Sequence, residues 1–167
     1  RLLAILRDVL PDDGIFVNDQ SGVNYWAEWK WPVVRSRTFL YPVGSAVLGY
    51  AVPAAIGAKV ACPDRAVIAV AGDGGFMYSV NELATAVKYR LPVVFLLLND
   101  ERFGAITWLQ ERLFQRSGEA DLTNPDFVAL ARAFGARAER IALHFDQYAA
   151  ELALTPQHIV RPLELHV

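Results

Sequence analysis

One cysteine, Cys62, among 167 residues excludes an intrachain disulfide and favours a reducing, cytoplasmic setting. Near the end of an apolar stretch, it reads as a small buried hydrophobe rather than a nucleophile. Histidine is almost as scarce. His144, His158 and His166 all fall late in the chain, without the paired spacing of a zinc site. No run of about 20 apolar residues is present, so no membrane-spanning helix is expected. Positive charge does not dominate: 16 Lys and Arg against 18 Asp and Glu give a net charge of -2, with a pI near 5.9. That balance excludes a nucleic-acid footprint. There is no signal-peptide pattern, and the chain opens with Arg1 rather than Met. It reads as a piece of something longer.

What the sequence has in plenty is apolar. The hydrophobic fraction is 54% and the mean hydropathy +0.24. The length suits one domain with a core, and the surplus apolar surface predicts cover by a partner protein. Leu2, Leu3, Ile5, Leu6, Val9 and Leu10 share a helical face closed by Pro11. Gly14 to Val17 is a short strand leading into a polar loop at residues 18–22. Residues 37–43 are extended, and residues 45–61 predict a helical segment packed on all sides and broken by Pro53. Val67 to Ala71 is a strand. Ser79-Val80-Asn81-Glu82 has capping-box spacing and predicts a helix to about Tyr89. Val93 to Leu98 is a continuous apolar run, as in the middle of a parallel sheet. Asp126 to Phe134 is a helix stopped by Gly135, and strands at 138–142 and 162–167 flank a helix near 145–153. The alternation predicts an α/β domain with a parallel sheet covered by helices on both faces.

Two acids end two of these strands. Asp73 lies within Gly72-Asp73-Gly74-Gly75, directly after one strand, and Asp100 follows Asn99 after the next. Parallel strands bring their carboxyl ends to one edge, where open α/β sheets bind ligands. If the strands are neighbours, two carboxylates converge there and repel unless a cation lies between them. Magnesium accepts such a pair together with phosphate oxygens. Gly74 and Gly75 lack a Cβ that would keep backbone N–H groups from a phosphate, and the helix beginning near Ser79 would aim its positive end at the same crevice. The glycines match neither a Walker loop nor a G-x-G-x-x-G fingerprint. Alone, Gly-Asp-Gly also fits an ordinary turn and cap.

These blocks resemble a known family. Gly72-Asp73-Gly74 followed by Asn99-Asp100 is similar to the thiamine-diphosphate signature, Gly-Asp-Gly and then Asn-Asn some two dozen residues on. Gly44-Ser45-Ala46-Val47-Leu48-Gly49-Tyr50-Ala51-Val52-Pro53-Ala54-Ala55-Ile56-Gly57 resembles the matching segment of the acetolactate synthase and benzoylformate decarboxylase group. The resemblance covers nearly the whole chain and matches the carboxy-terminal, diphosphate-binding (PP) domain, so residues 1–167 are expected to form that single domain. By position it implies a magnesium ion held by the side chains of Asp73 and Asp100 and the main-chain carbonyl of Arg102. The family usually has Asn where Asp100 stands. Gly74, Gly75 and Tyr78 match diphosphate contacts, as do Phe103 and Gly104 after the metal loop; Ser21 and Gly22 are placed against the phosphate from the first strand's loop. Leu48 matches the bulky residue that props the cofactor into its bent shape, although its residue type equally fits a core. The Ala46 carbonyl matches the acceptor for the aminopyrimidine.

The activity implied is chemistry on a 2-oxo acid, by an acetolactate synthase-like carboligase or by a decarboxylase, with thiamine diphosphate as electron sink. The family's activating glutamate lies on a separate pyrimidine-binding domain, generally across a subunit interface, so a homodimer or tetramer is implied. Glu28, Glu82, Glu101 and Glu111 lack its context, and the chain alone is expected to be inactive. Acetolactate synthases usually carry Met and Trp where Ala105 and Leu109 stand here, with Trp108 displaced by one, which leaves the substrate open. A separate subunit of a two-chain decarboxylase and a non-catalytic binding or scaffolding domain are the alternatives. The stretch from Tyr25 to Trp31 fits a subunit contact or core better than a pocket wall. Arg112, Arg116, Arg132, Arg137 and Arg140 read as solvated faces, and residues 114–118 as either a closing loop or a plain connector.

Overall fold

The structure, a computed structural model, describes residues 2–141 in full and 161–166 as backbone. The helix expected near 145–153 lies outside the described residues, as do His144 and His158. The elements in chain order are α1 Leu2–Val9, β1 Ile15–Asn18, α2 Gly22–Lys30, β2 Phe39–Leu40, α3 Ala51–Ala61, β3 Val67–Gly72, α4 Asp73–Met77, a 3-10 turn Val80–Glu82, α5 Leu83–Lys88, β4 Val94–Asn99, α6 Gly104–Phe114, α7 Phe127–Ala133, β5 Glu139–Ile141 and β6 Arg161–His166. Six strands pair in the order β2-β1-β3-β4-β6-β5, and every pairing is parallel.

Strand periodicity explains the layers. Side chains two apart along a strand share a face. Ile15, Val17, Val67, Ala69, Ala71, Phe95 and Leu97 pack with Ala51, Ala55 and Ile56 of α3, Leu83 and Ala86 of α5, and Phe127 and Ala131 of α7. The residues between them, Phe16, Ile68, Val70, Val94 and Leu96, pack with Leu6 and Leu10 at α1 and with Ala27 and Trp31 at α2. Both faces of the sheet are therefore covered, and β3 and β4 show near-continuous burial rather than alternation. The aromatic stretch divides by the same rule. Trp31 is buried beside Phe16 at 4.4 Å between rings, whereas Trp26 and Trp29 are exposed.

Three local expectations are corrected. Pro53 does not break a helix. It is the third residue of α3, where the backbone N–H has no intrahelical acceptor and proline is tolerated. Residues 45–50 before it are not helical: Gly44, Ala46 and Gly49 all have positive φ, at 86°, 47° and 81°. The capping box at Ser79 is not made. Its hydroxyl is buried without a partner among the described residues, and Glu82 instead accepts from Thr85 Oγ1 at 3.0 Å. The helix at the crevice is α4, starting at Asp73 itself. Helix α6, for which no expectation existed, fills residues 104–114. The helix at 126–134 forms as expected, with Asp126 Oδ1 accepting from Ala129 N at 3.0 Å and Gly135 at φ 88° ending it.

Candidate cofactor site

Strand order locates the crevice. From β1 the chain passes to β2 on one side, and β3 then adds on the other. The carboxyl ends of β1 and β3 thus flank a topological switch point, where open α/β sheets bind ligands. Ser21, just beyond β1, lies against Gly72 at the end of β3, its Cβ 3.8 Å from where a Cβ of Gly72 would be. The Ser21 hydroxyl is buried and has no hydrogen-bond partner among the described residues. Gly22 follows as the exposed first residue of α2.

β3 and β4 are direct neighbours, with Gly72 opposite Leu98. Asp73 and Asp100 therefore leave adjacent strand tips. Asp73 is almost fully buried. One of its oxygens accepts from the Gly74 N–H at 2.9 Å, the other from Asn124 Nδ2 at 2.7 Å. Asp100 is more exposed. Its carboxyl rises above 3.8, first because it is partly desolvated and then because the Asp73 charge is close, against a smaller opposing pull from Arg102. Neither acid forms an ion pair among the described residues. Arg102 turns its guanidinium Nε to the Asp100 carbonyl, at 3.3 Å.

The loop after Asp100 is held by a strand-like partner. Arg102 bridges Asp121 in antiparallel fashion, the Phe103 N–H donates to the Ala120 carbonyl at 2.8 Å and the Leu122 N–H to the Glu101 carbonyl at 2.7 Å. Phe103 is thereby laid on Gly74: a Cβ there would meet the ring at 2.5 Å. At Gly75 a Cβ would come within 2.6 Å of Asp19 Oδ1. Packing thus gives both glycines a reason that the sequence does not show. Gly104 has Asp100 Oδ2 2.8 Å from its Cβ position, and Tyr78, largely exposed, has its Cβ against Gly49.

Asp19 escaped the sequence analysis. It is buried and accepts from the Gly49 N–H at 3.1 Å and the Ala51 N–H at 2.8 Å, so it caps α3 from thirty residues away. Burial raises its carboxyl, and these backbone donors pull against that rise. The cap fixes the turn that carries Leu48, half-buried, with Cδ2 3.6 Å from the Cβ position of Gly75. Ala46 lies exposed on the same turn. The signal for Asp19 was available: it follows an apolar strand, as Asp73 and Asp100 do. Asn124, which also donates to Asn99 Oδ1 at 2.8 Å, had none.

Residues 20–158 match the family described as thiamine pyrophosphate enzyme, C-terminal TPP binding domain. The chain belongs to this family. It is 38% identical over 153 residues to the acetolactate synthase isozyme 2 large subunit of Escherichia coli, covering 90% of this chain and 28% of that protein. It is 35% identical over 167 residues to the acetolactate synthase large subunit of Parasynechococcus marenigrum, covering 95% and 26%. The thiamine diphosphate-dependent 4-hydroxybenzoylformate decarboxylase of Rhodococcus jostii superposes with a TM-score of 0.86 at 30% identity, covering 99% of this chain and 32% of that one. The chain thus spans about a quarter to a third of the length of these relatives. It is a thiamine-diphosphate-binding domain of the acetolactate synthase-like enzymes, an α/β fold with a parallel sheet. Among the described residues no helix is long and apolar enough to cross a membrane.

The donor set fits the cofactor's metal. Among the described residues no cluster of three or more His, Cys, Asp or Glu could hold an ion, so a site built only of side chains, as for zinc, is not offered. Asp73 and Asp100 end adjoining strands and offer carboxylate oxygens, the hard donors that magnesium prefers.

Proposed function

We propose that the chain is the magnesium- and diphosphate-binding half of a thiamine-diphosphate-dependent enzyme acting on 2-oxo acids, as an acetolactate synthase-like carboligase or a decarboxylase. The observation that carries this reading is the pair Asp73 and Asp100 at adjoining strand tips, close enough for one charge to raise the other's pKa and with no ion-pair partner among the described residues.

Asp73 and Asp100 would hold magnesium by side-chain oxygens and Arg102 by its carbonyl. Ser21, Gly22, Gly74, Gly75, Tyr78, Phe103 and Gly104 would border the diphosphate, and the buried Ser21 hydroxyl is a donor still to be used. Leu48 would support the bent cofactor and the Ala46 carbonyl the aminopyrimidine. When bound, thiamine diphosphate supplies the electron sink for loss of carbon dioxide. This chain's residues bind and orient it. The activating glutamate is assigned to a pyrimidine-binding domain or subunit, which fits an oligomeric enzyme and the chain's share of its relatives' length. Exposed Trp26 and Trp29 on α2 and Trp108, Leu113 and Phe114 on α6 suit such contacts.

Two experiments test this reading. The isolated chain should bind thiamine diphosphate weakly in calorimetric titration, only with magnesium present, and convert no 2-oxo acid. Turnover by the isolated chain, or magnesium-independent binding, contradicts it. The second concerns Asp100→Asn, which keeps an oxygen and removes a charge. Because the folded pKa of Asp100 is raised, the metal-free folded protein holds this one proton more tightly than the unfolded chain, and the contribution of Asp100 to stability falls as pH rises from 3.8 through the raised value. Urea titrations should show that fall shrink in Asp100→Asn, while magnesium affinity stays within about tenfold, less than an outer partner's loss can cost.

A further inference from the structure

We infer that Asn124 is a positioning residue for the cation, fixing the Asp73 carboxylate and tying it to the loop that carries Asp100. The inference rests on the metal site proposed above.

Both donations come from one amide nitrogen. Asn124 Nδ2 donates to Asp73 Oδ2 at 2.7 Å and to Asn99 Oδ1 at 2.8 Å, so one side chain bridges the tips of β3 and β4. An amide nitrogen carries two hydrogens and no lone pair to offer, so both are spent here. The other Asp73 oxygen is held by the Gly74 N–H. Each carboxylate oxygen accepts more than one bond, so Asp73 is oriented on both sides and still has lone pairs for a cation.

Asn124 is itself held at both ends. On one side residues 120–122 pair with residues 101–103, through the Arg102–Asp121 bridge and the bonds Phe103 N–H to Ala120 carbonyl and Leu122 N–H to Glu101 carbonyl. On the other side Asp126 caps α7. A single short segment therefore grips the backbone just after Asp100 and, through Asn124, the carboxylate of Asp73. Partners that orient a metal's ligands typically contribute about 10- to 100-fold in metal affinity.

The test uses the full-length protein, with magnesium chloride titrated at saturating thiamine diphosphate and the melting temperature of the metal-free protein measured in parallel. Asn124→Ala should weaken magnesium binding about 10- to 100-fold, leave the metal-free melting temperature within a few degrees, and regain full thiamine-diphosphate affinity in excess magnesium. Asn124→Ser, which keeps one donor, should lie between Ala and the native residue and reports on the claim should the Ala protein fail to fold. Unchanged magnesium affinity in both variants overturns the inference. So does a loss of thiamine-diphosphate affinity that excess magnesium does not restore, because that marks a structural role alone. Asp73→Ala, run alongside, separates the two levels: if it also leaves magnesium binding intact, the metal site falls; if it abolishes binding while both Asn124 variants do not alter it, the positioning role alone falls.

Discussion

Asp73→Ala should reduce magnesium-dependent thiamine-diphosphate binding by more than about 100-fold, exceeding the loss expected for an outer partner. The side chain is nearly sealed from solvent, and its two hydrogen bonds come from neutral donors. A buried carboxylate held by neutral groups is costly unless a cation shares the site. Removing it takes away the charge that Asp100 feels and, at the proposed site, one magnesium ligand. Calorimetry should show that added magnesium no longer promotes binding. The metal-free protein should keep its fold, because the deletion also relieves a like-charge pair.

Gly75→Ala should lower stability by about 2 to 3 kcal/mol, at the upper end of what overpacking typically costs. The new Cβ would lie 2.6 Å from Asp19 Oδ1, and Asp19 cannot easily withdraw, because its two oxygens hold the N–H groups of Gly49 and Ala51. Moving it would uncap α3 and loosen the turn that carries Leu48. Asp19→Ala alone leaves two backbone donors short of a partner, at about 1 to 3 kcal/mol. The double variant should be less destabilised than the sum of the two, because the clash needs both groups. Urea denaturation of the four proteins measures that coupling. Additive losses would mean that Asp19 and Gly75 do not share the space.

The parts of the site legible in the sequence are those set by strand ends. An apolar run followed by Asp73, and a second followed by Asp100, needed only the parallel-sheet rule to bring them to one edge, and the pairing of β3 with β4 does so. Asp19 obeys the same rule but turns to cap α3. Which way a strand-tip acid turns depends on what the chain packs beside it, and no local pattern reports that. Asn124 and Asp73 are 51 residues apart, joined only once residues 120–122 have paired with the loop after β4. Pro53 misled because proline breaks helix interiors but not first turns, and the start of α3 is set by a distant carboxylate. Helix α6 has a usable stripe, Ile106, Leu109 and Leu113, at helical spacing. It lacks a side-chain cap at Phe103, and the stripe faces outward.

The proposed site requires one cation shared by two adjoining strand tips. Anomalous diffraction from crystals of the full-length protein grown with Mn2+ and thiamine diphosphate tests it most directly. A single peak is expected about 2.1 Å, a magnesium-like distance, from side-chain oxygens of both Asp73 and Asp100 and from the Arg102 carbonyl. A peak bound to only one of the two carboxylates, or none between them with the diphosphate in place, would contradict it.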